Sequence, residues 1–152
     1  MQNCDDHSIC QKEALHNATM LCKERNLRFT ALRKTIFMLI WESHRPIKAY
    51  DLIKQMSSQD KIVQPPIVYR TLDFLLEHRL IHKLNSINSY TGCSHPFKNH
   101  SCSFLICTNC KDVKEFCNDT FNLHLQHVIE DSNFHNRDNI IEILGECAKC
   151  RK

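Results

Sequence analysis

Two Cys-x-x-Cys pairs have the clearest chemical potential in this chain: Cys107-Thr-Asn-Cys110 and Cys147-Ala-Lys-Cys150. Two residues between paired cysteines let both thiolates reach one metal ion, and two such pairs supply the four ligands of a closed tetrahedral zinc site. The alternatives are a thioredoxin-like redox pair or four unrelated thiols. Because 36 residues separate the pairs, we expect a structural zinc ion that ties the start of the C-terminal half to its end.

A second group of possible ligands is more scattered. It consists of His82, Cys93, His100 and Glu115. The chain contains ten histidines, so some clustering is expected, and a single histidine is more often a surface residue or a satisfied core residue than a ligand. Residue type and spacing alone therefore do not predict a second metal site.

Composition limits the class of protein. Ten cysteines in a reducing cytosol indicate metal or redox chemistry rather than disulfides. Residues Met1–Cys10 have no apolar core, and the longest apolar stretches, such as Ile36–Trp41, are too short to span a membrane. No Ser-His-Asp, HExxH or phosphate-loop pattern is present. We expect a cytoplasmic protein that is not an enzyme, without a membrane partner or a small-molecule substrate.

Charge is unevenly distributed along the chain. From Lys23 to Lys83 there are twelve Lys and Arg against six Asp and Glu, a balance of +6. From Ser94 to Lys152 there are seven against eight, a balance of −1. This asymmetry favours an anionic partner for the first half only.

The elements that must position these residues begin with helices. Helical periodicity predicts four helices, at Lys12–Arg25, Ala31–Glu42, Ala49–Met56 and from Gln64 to about His78. Thr30 is a candidate N-cap for the second helix, and Pro65-Pro66 marks the start of the fourth. Leu80–Leu84 and Ser89–Cys93 predict a hairpin. This order is typical of a winged helix-turn-helix, whose second helix reads the DNA major groove.

The second half predicts a small α/β domain. Strands are expected at Phe104–Ile106, Val113–Phe116 and Ile140–Leu144, with a helix at about Thr120–Asp131. About fifty residues hold only a marginal core without a staple, which is consistent with structural zinc. The sequence therefore predicts an α+β protein with a DNA-binding domain at 1–93, a hinge at 94–101 and a second domain at 102–152.

The run Pro65-Pro-Ile-Val-Tyr-Arg-Thr-Leu-Asp-Phe-Leu-Leu-Glu closely resembles the recognition-helix signature of the ferric-uptake-regulator (Fur) superfamily. Leu27–Arg33, the Cys107/Cys110 pair and the ending Glu142–Cys150 resemble the same superfamily, so the similarity covers about residues 20–150. Ile81-His-Lys, Asn88-Ser-Tyr and Asp112–Cys117 are most similar to its zinc-uptake-regulator (Zur) branch.

That resemblance implies an N-terminal winged-helix DNA-binding domain and a C-terminal α/β dimerisation domain. It further implies a homodimer on a double-stranded, inverted-repeat DNA operator, acting as a zinc-responsive repressor of zinc-uptake genes with zinc as corepressor. The alternative is a Fur-superfamily regulator that responds to iron, manganese, nickel or peroxide.

The resemblance also implies two zinc ions per subunit. The structural ion falls on Cys107, Cys110, Cys147 and Cys150, and the regulatory ion falls on His82, Cys93, His100 and Glu115. Two imidazoles, one thiolate and one carboxylate suit tetrahedral zinc, whereas iron(II) and manganese(II) favour more oxygen and nitrogen ligands. Cys102 and His95 lie close enough to His100 in sequence to compete with it. We interpret Cys4, Cys10, Cys22 and Cys117, which match no ligand position, as buried small apolar residues or surface thiols.

The DNA contacts implied by the resemblance are Tyr50, Tyr69 and Arg70. Arg70 has an independent physical rationale, because a guanidinium group can bond O6 and N7 of guanine together. An exposed ion pair with Asp73 or a phosphate contact is the alternative for Arg70.

Overall fold

The computed structural model describes residues 7–42, 45–57, 63–97, 102–136 and 140–151, apart from the side chain of Cys102. The chain divides into two compact units, whose described parts are 7–97 and 102–151. The domain and hinge boundaries expected from the sequence remain a prediction. Among the described residues, no helix has the length and apolar character needed to cross a membrane.

The N-terminal unit contains four helices followed by a hairpin. These are α1 (His7–Glu24), α2 (Ala31–Trp41), α3 (Ala49–Met56), α4 (Pro65–Glu77), β1 (Ile81–Leu84) and β2 (Ser89–Gly92). The order is the predicted one, but α1 begins at His7 rather than Lys12. Its first turns are held by α2: His7 Nε2 lies 2.8 Å from the carbonyl oxygen of Glu42, and Gln11 donates to that of Trp41 at 3.1 Å.

Local signals explain where the helices of the N-terminal unit begin. The Thr30 hydroxyl caps α2 by accepting from the backbone N–H of Arg33 at 3.4 Å. Helix α4 opens on Pro65 and Pro66, where the missing N–H groups would have had no helical partner.

One hydrophobic core holds the N-terminal unit together. Its buried members are Ala18, Leu21, Cys22, Ile36, Phe37, Ile40, Ala49, Leu52, Val68, Leu72, Phe74, Leu75, Leu80, Ile81 and Tyr90. On α4, Val68, Leu72 and Leu75 are buried and Leu76 is half-buried. In α1 the buried residues are Ala18, Leu21 and Cys22.

The hairpin, which we call the wing, comprises residues 81–93: β1, the turn after it, β2 and Cys93, which directly follows β2. The strands are antiparallel, with His82 opposite Thr91 and Ile81 opposite Gly92. A single 3-10 turn at Asn85–Ile87 connects them, followed by Asn88 with φ 47°. Backbone bonds of 2.8 and 2.9 Å between Tyr90 and Ile47 fix the wing to the segment before α3.

The C-terminal unit contains a three-stranded sheet and one helix. Its elements are β3 (Cys102–Cys107), β4 (Val113–Phe116), α5 (Asp119–Asp131) and β5 (Ile140–Gly145). The strand order is β4-β3-β5, with β3 antiparallel to β4 and parallel to β5. Asn118 caps α5, its side-chain oxygen accepting from the Phe121 N–H at 2.9 Å.

Burial within the C-terminal unit is confined to two strands. Among the described residues, those buried are Ser103, Phe104, Ile106, Cys107 and Val113. Helix α5 has no buried residue, and Leu123 and Val128 on it are both 62% exposed. The prediction of a marginal core in this half agrees with these observations.

Candidate metal centres and nucleic-acid interface

The two cysteine pairs meet because of the β3–β5 pairing. Cys107 is the last residue of β3 and lies opposite Gly145, the last residue of β5. Each strand then turns back: the N–H of Lys111 bonds to the Cys107 carbonyl at 3.0 Å, and that of Cys150 bonds to the Cys147 carbonyl at 2.9 Å. Parallel neighbours end at the same edge of a sheet, so both turns project their thiols into one place.

The geometry of the four thiols fits a tetrahedral metal site. The sulfur atoms of Cys107, Cys110, Cys147 and Cys150 all lie within 4.8 Å of one another, and those of Cys110 and Cys147 are 3.7 Å apart. Zinc–sulfur bonds of about 2.3 Å place tetrahedral thiolates about 3.8 Å apart. The four residues can therefore hold a zinc ion with little rearrangement.

Hydrogen bonds within this cluster give the thiols different pKa values. Backbone N–H groups of Cys110 and Cys147 lower the pKa of Cys107 to about 6, the latter donating to its Sγ at 3.4 Å. Shared hydrogen bonds with the sulfur atoms of Cys147 and Cys110 raise the pKa of Cys150 to about 12. One thiol is thus ready as a thiolate at neutral pH, while Cys150 must release a proton when a metal binds.

A second pair of donors lies in the wing. His82 is on β1, and Cys93 directly follows β2, with its N–H bonded to the Leu80 carbonyl at 3.1 Å. Since His82 faces Thr91 and side chains two residues apart share a face, His82 and Cys93 are diagonal neighbours on one side of the wing. Both are buried, and a ring nitrogen of His82 lies within 4.8 Å of the Cys93 sulfur.

The other predicted ligands are placed as follows. Glu115 lies on β4 opposite Phe104 and is half-buried. His100 lies outside the described residues, as does the side chain of Cys102. His95 is half-buried in the segment after the wing. The full four-residue regulatory set therefore remains a prediction.

The cysteines that match no ligand position differ in exposure. Cys22 belongs to the core, where burial raises the pKa of its thiol, which fits its interpretation as a small apolar residue. Cys10 is half-buried on α1, and Cys117 is exposed just beyond β4. Cys4 lies outside the described residues.

Two contacts within the N-terminal unit were not predicted from the sequence. Gly92 lies close to the indole of Trp41, so that a Cβ atom at position 92 would lie 2.2–2.5 Å from ring atoms. Gly92 is the residue directly before Cys93. The Arg33 guanidinium lies 3.5 Å from the centre of the Phe74 ring, which links α2 to α4. Residues about 40 to 50 positions apart leave no local pattern that could reveal either contact.

The predicted DNA contacts lie on the surface of the helix-turn-helix. Tyr50 in the first turn of α3 is 72% exposed, and Tyr69 on α4 is 47% exposed. Arg70 is exposed on the face of α4 that lies away from Val68, Leu72 and Leu75. The helix that should enter the major groove thus presents a guanidinium group to solvent.

Comparison with known proteins places the chain among metal-dependent regulators. The chain is 37% identical over 141 residues to the zinc uptake regulation protein of Escherichia coli (strain K12), covering 91% of this chain and 82% of that protein. A zinc uptake regulator complexed with zinc and DNA superimposes with a TM-score of 0.85 at 35% identity, covering 92% of this chain and 94% of the other. The structure of holo XcZur gives 0.82 at 33%, covering 95% and 98%.

These similarities confirm the predicted fold class, an N-terminal winged helix followed by a small α/β domain. The family model described as "Ferric uptake regulator family" matches residues 24–144. The chain belongs to the ferric uptake regulator family.

Proposed function

We propose that this chain is a zinc-responsive transcriptional repressor of zinc-uptake genes. It binds an inverted-repeat DNA operator as a homodimer, with zinc as corepressor, in the cytoplasm, and it catalyses no reaction. The observation that carries the proposal is the pair of buried donors, His82 and Cys93, within the wing of a DNA-binding unit. Imidazole and thiolate are both ligands that zinc prefers. Two of the proposed metal ligands therefore lie in the same unit as the proposed DNA-binding helix.

The regulatory zinc site is completed by His100 and Glu115. This assignment rests on the proximity of His82 and Cys93 and on the match of all four residues to the Zur branch. The proposed domains are 1–93 for DNA binding, 94–101 for the hinge and 102–152 for dimerisation. One ion held by the wing, the hinge and the dimerisation domain restricts how each recognition helix is presented, which favours the arrangement that fits two half-sites.

The structural zinc site is formed by Cys107, Cys110, Cys147 and Cys150, which gives two ions per subunit. Its support is the sulfur geometry, with all four atoms within 4.8 Å. Four thiolates leave no open coordination position, so this ion stabilises the C-terminal unit and takes part in no reaction.

Arg70, Tyr69 and Tyr50 contact the operator. Their exposure on α3 and α4 supports this role, as does the positive balance of residues 23–83. Arg70 is assigned to a guanine, through the two parallel hydrogen bonds that its side chain can donate.

The homodimer is supported by the apolar surface of the C-terminal unit. In the described part of that unit, β5 pairs only with β3, and Ile140, Ile143 and Leu144 on it are 42–53% exposed. An apolar edge strand of this kind is a ready template for pairing with another chain.

The test is an anisotropy titration of a labelled inverted-repeat operator against buffered free zinc, iron(II), manganese(II) and nickel(II). We expect tight binding with zinc at trace free concentrations and no binding with the other metals at the concentrations available in cells. Arg70→Ala should weaken binding by about tenfold or more, whereas Lys12→Ala, which removes an exposed charge on α1, should leave it unchanged.

Other outcomes contradict parts of the proposal. Activation by iron(II), manganese(II) or nickel(II) instead of zinc would keep the family and overturn the sensed metal. Binding that ignores every metal would leave a DNA-binding protein without a metal switch.

A further inference from the structure

The outward surface at the start of α4 is apolar. Pro65, Pro66 and Ile67 are all exposed, and Ile67 exposes 41% of its surface although it is a large hydrophobic residue. The buried side of α4 is formed by Val68, Thr71, Leu72, Phe74 and Leu75. Ile67 therefore contributes little to the core, and its side chain is available to a partner.

The same turn has little capacity to bind phosphate. The first turn of a helix normally offers free N–H groups to an anion. Here Pro65 and Pro66 have no N–H, and the N–H of Ile67 is bonded to the Gln64 carbonyl at 3.0 Å. The start of α4 therefore offers an apolar surface, and not free N–H groups, to a binding partner.

The position of Ile67 relative to Arg70 limits what that partner can be. Residues three apart are neighbours on a helix surface, and Arg70 is exposed one turn further along α4. In a helix-turn-helix the N-terminal residues of the recognition helix reach the base edges. In the major groove, the apolar group that a base presents is the C5 methyl of thymine.

We infer that Ile67 is a specificity-determining residue, which reads a thymine methyl next to the base contacted by Arg70. This inference rests on the proposed function, because it assumes that α4 enters the major groove of the operator. The ligand group is the C5 methyl, and the recognition is burial of that methyl against the branched side chain of Ile67.

The test removes the methyl from the DNA and the side chain from the protein. An operator is first selected from random DNA with the zinc-loaded full-length protein, and each thymine is then replaced by deoxyuridine, which differs only in lacking the methyl. We expect one thymine in each half-site to be sensitive. Replacing it in one half-site should reduce the affinity about fourfold, which is the value of burying one methyl group, and replacing it in both half-sites should reduce the affinity about fifteenfold.

The protein variants decide whether Ile67 is the reader. With Ile67→Ala, the same deoxyuridine replacement should leave the affinity unchanged within about 1.5-fold, by the logic of a double-mutant cycle. Glu77→Ala, at the far end of α4 and also exposed, should retain the full fourfold effect. Ile67 and Glu77 are both exposed to solvent, so neither substitution is expected to unfold the protein.

The inference is overturned if deoxyuridine has no effect at any position, or if Ile67→Ala keeps the whole effect. A wild-type protein that binds only with zinc but ignores the methyl would refute the inference and leave the proposed function intact. Binding without zinc dependence, with a methyl effect lost in Ile67→Ala, would refute the proposed function and leave the inference intact. Failure to select any DNA would refute both.

Discussion

The two units of this chain are stabilised in different ways. The N-terminal unit has a core of fifteen buried residues drawn from its helices and its wing. In the C-terminal unit burial among the described residues is limited to five positions on β3 and β4, and α5 buries none. The comparison teaches that the N-terminal unit has a hydrophobic core of its own, whereas the C-terminal unit buries little, and we propose that a metal on its four thiols and a second copy of the chain supply the missing stability.

The two proposed zinc sites differ in the same respect. The four thiols of the proposed structural site lie in the C-terminal unit alone, so we expect a metal there to stabilise that unit. His82 and Cys93 lie in the wing, within a unit that needs no staple. Because that unit already has its own hydrophobic core, a metal bound there is not needed for its stability, which favours a regulatory role.

Cys147→Ser should have the largest effect of any single substitution on the C-terminal unit. Structural zinc contributes about 10 kcal/mol or more in small domains, which is comparable to the whole stability of a typical domain. Hydrogen–deuterium exchange should show protection lost in β3, β4 and β5 and retained in α2 and α4.

The matched control for that experiment is Cys117→Ser. Cys117 is an exposed cysteine of the same unit outside the four-thiol cluster, and its replacement should leave all protection unchanged. Retained protection of β3 and β5 in Cys147→Ser would contradict the claim that a metal on the four thiols stabilises this unit.

Leu144→Lys should dissociate the homodimer without unfolding either unit. Leu144 is 53% exposed on β5, and burying a lysine at an interface costs about 3 kcal/mol or more, which is at least about a hundredfold in the dimer dissociation constant. Sedimentation velocity measures the change. Lys114→Glu, an exposed change on β4 at the opposite edge of the sheet, should leave the dimer intact; the reverse result would place the interface on β4.

A smaller effect distinguishes the two glycines, one in each unit. Gly92→Ala should destabilise the N-terminal unit by about 1–3 kcal/mol, because the new Cβ would overlap the Trp41 ring. Gly145→Ala should change stability by less than about 0.5 kcal/mol, because nothing lies within 4 Å of a Cβ there.

Thermal unfolding followed by the fluorescence of Trp41, the single tryptophan, measures the Gly92 effect directly, and circular dichroism covers Gly145→Ala. Equal destabilisation by both substitutions would show that the contact with Trp41 is unimportant.

Much of the fold could be predicted because its signals are local. The Thr30 cap, the Pro65-Pro66 start and the helical periodicity placed α2, α3 and α4 within a residue or two of the observed bounds. The start of α1 could not be placed, because its first turns are held by Glu42 and Trp41, some 30 residues away. The parallel pairing of β3 with β5 joins segments too far apart for any local pattern to indicate.

The candidate sites show the same limit. The four thiols could be found from spacing, since each pair is a recognisable unit. His82 and Cys93 are single residues eleven positions apart, and only the family resemblance selected them. Their proximity depends on the register of the wing, in which His82 lies opposite Thr91. The Trp41–Gly92 contact and the exposure of Ile67 became visible only with the structure.

The most direct test of the account is zinc-dependent operator binding by Cys93→Ala, with metal content and oligomeric state measured on the same sample. We predict a folded dimer that retains the structural zinc ion, one per subunit, and has lost the response of DNA binding to zinc, because the ligand in the wing is missing while the four thiols are intact. Full zinc-dependent binding by this variant would contradict the account, and would show that the switch does not lie in the wing.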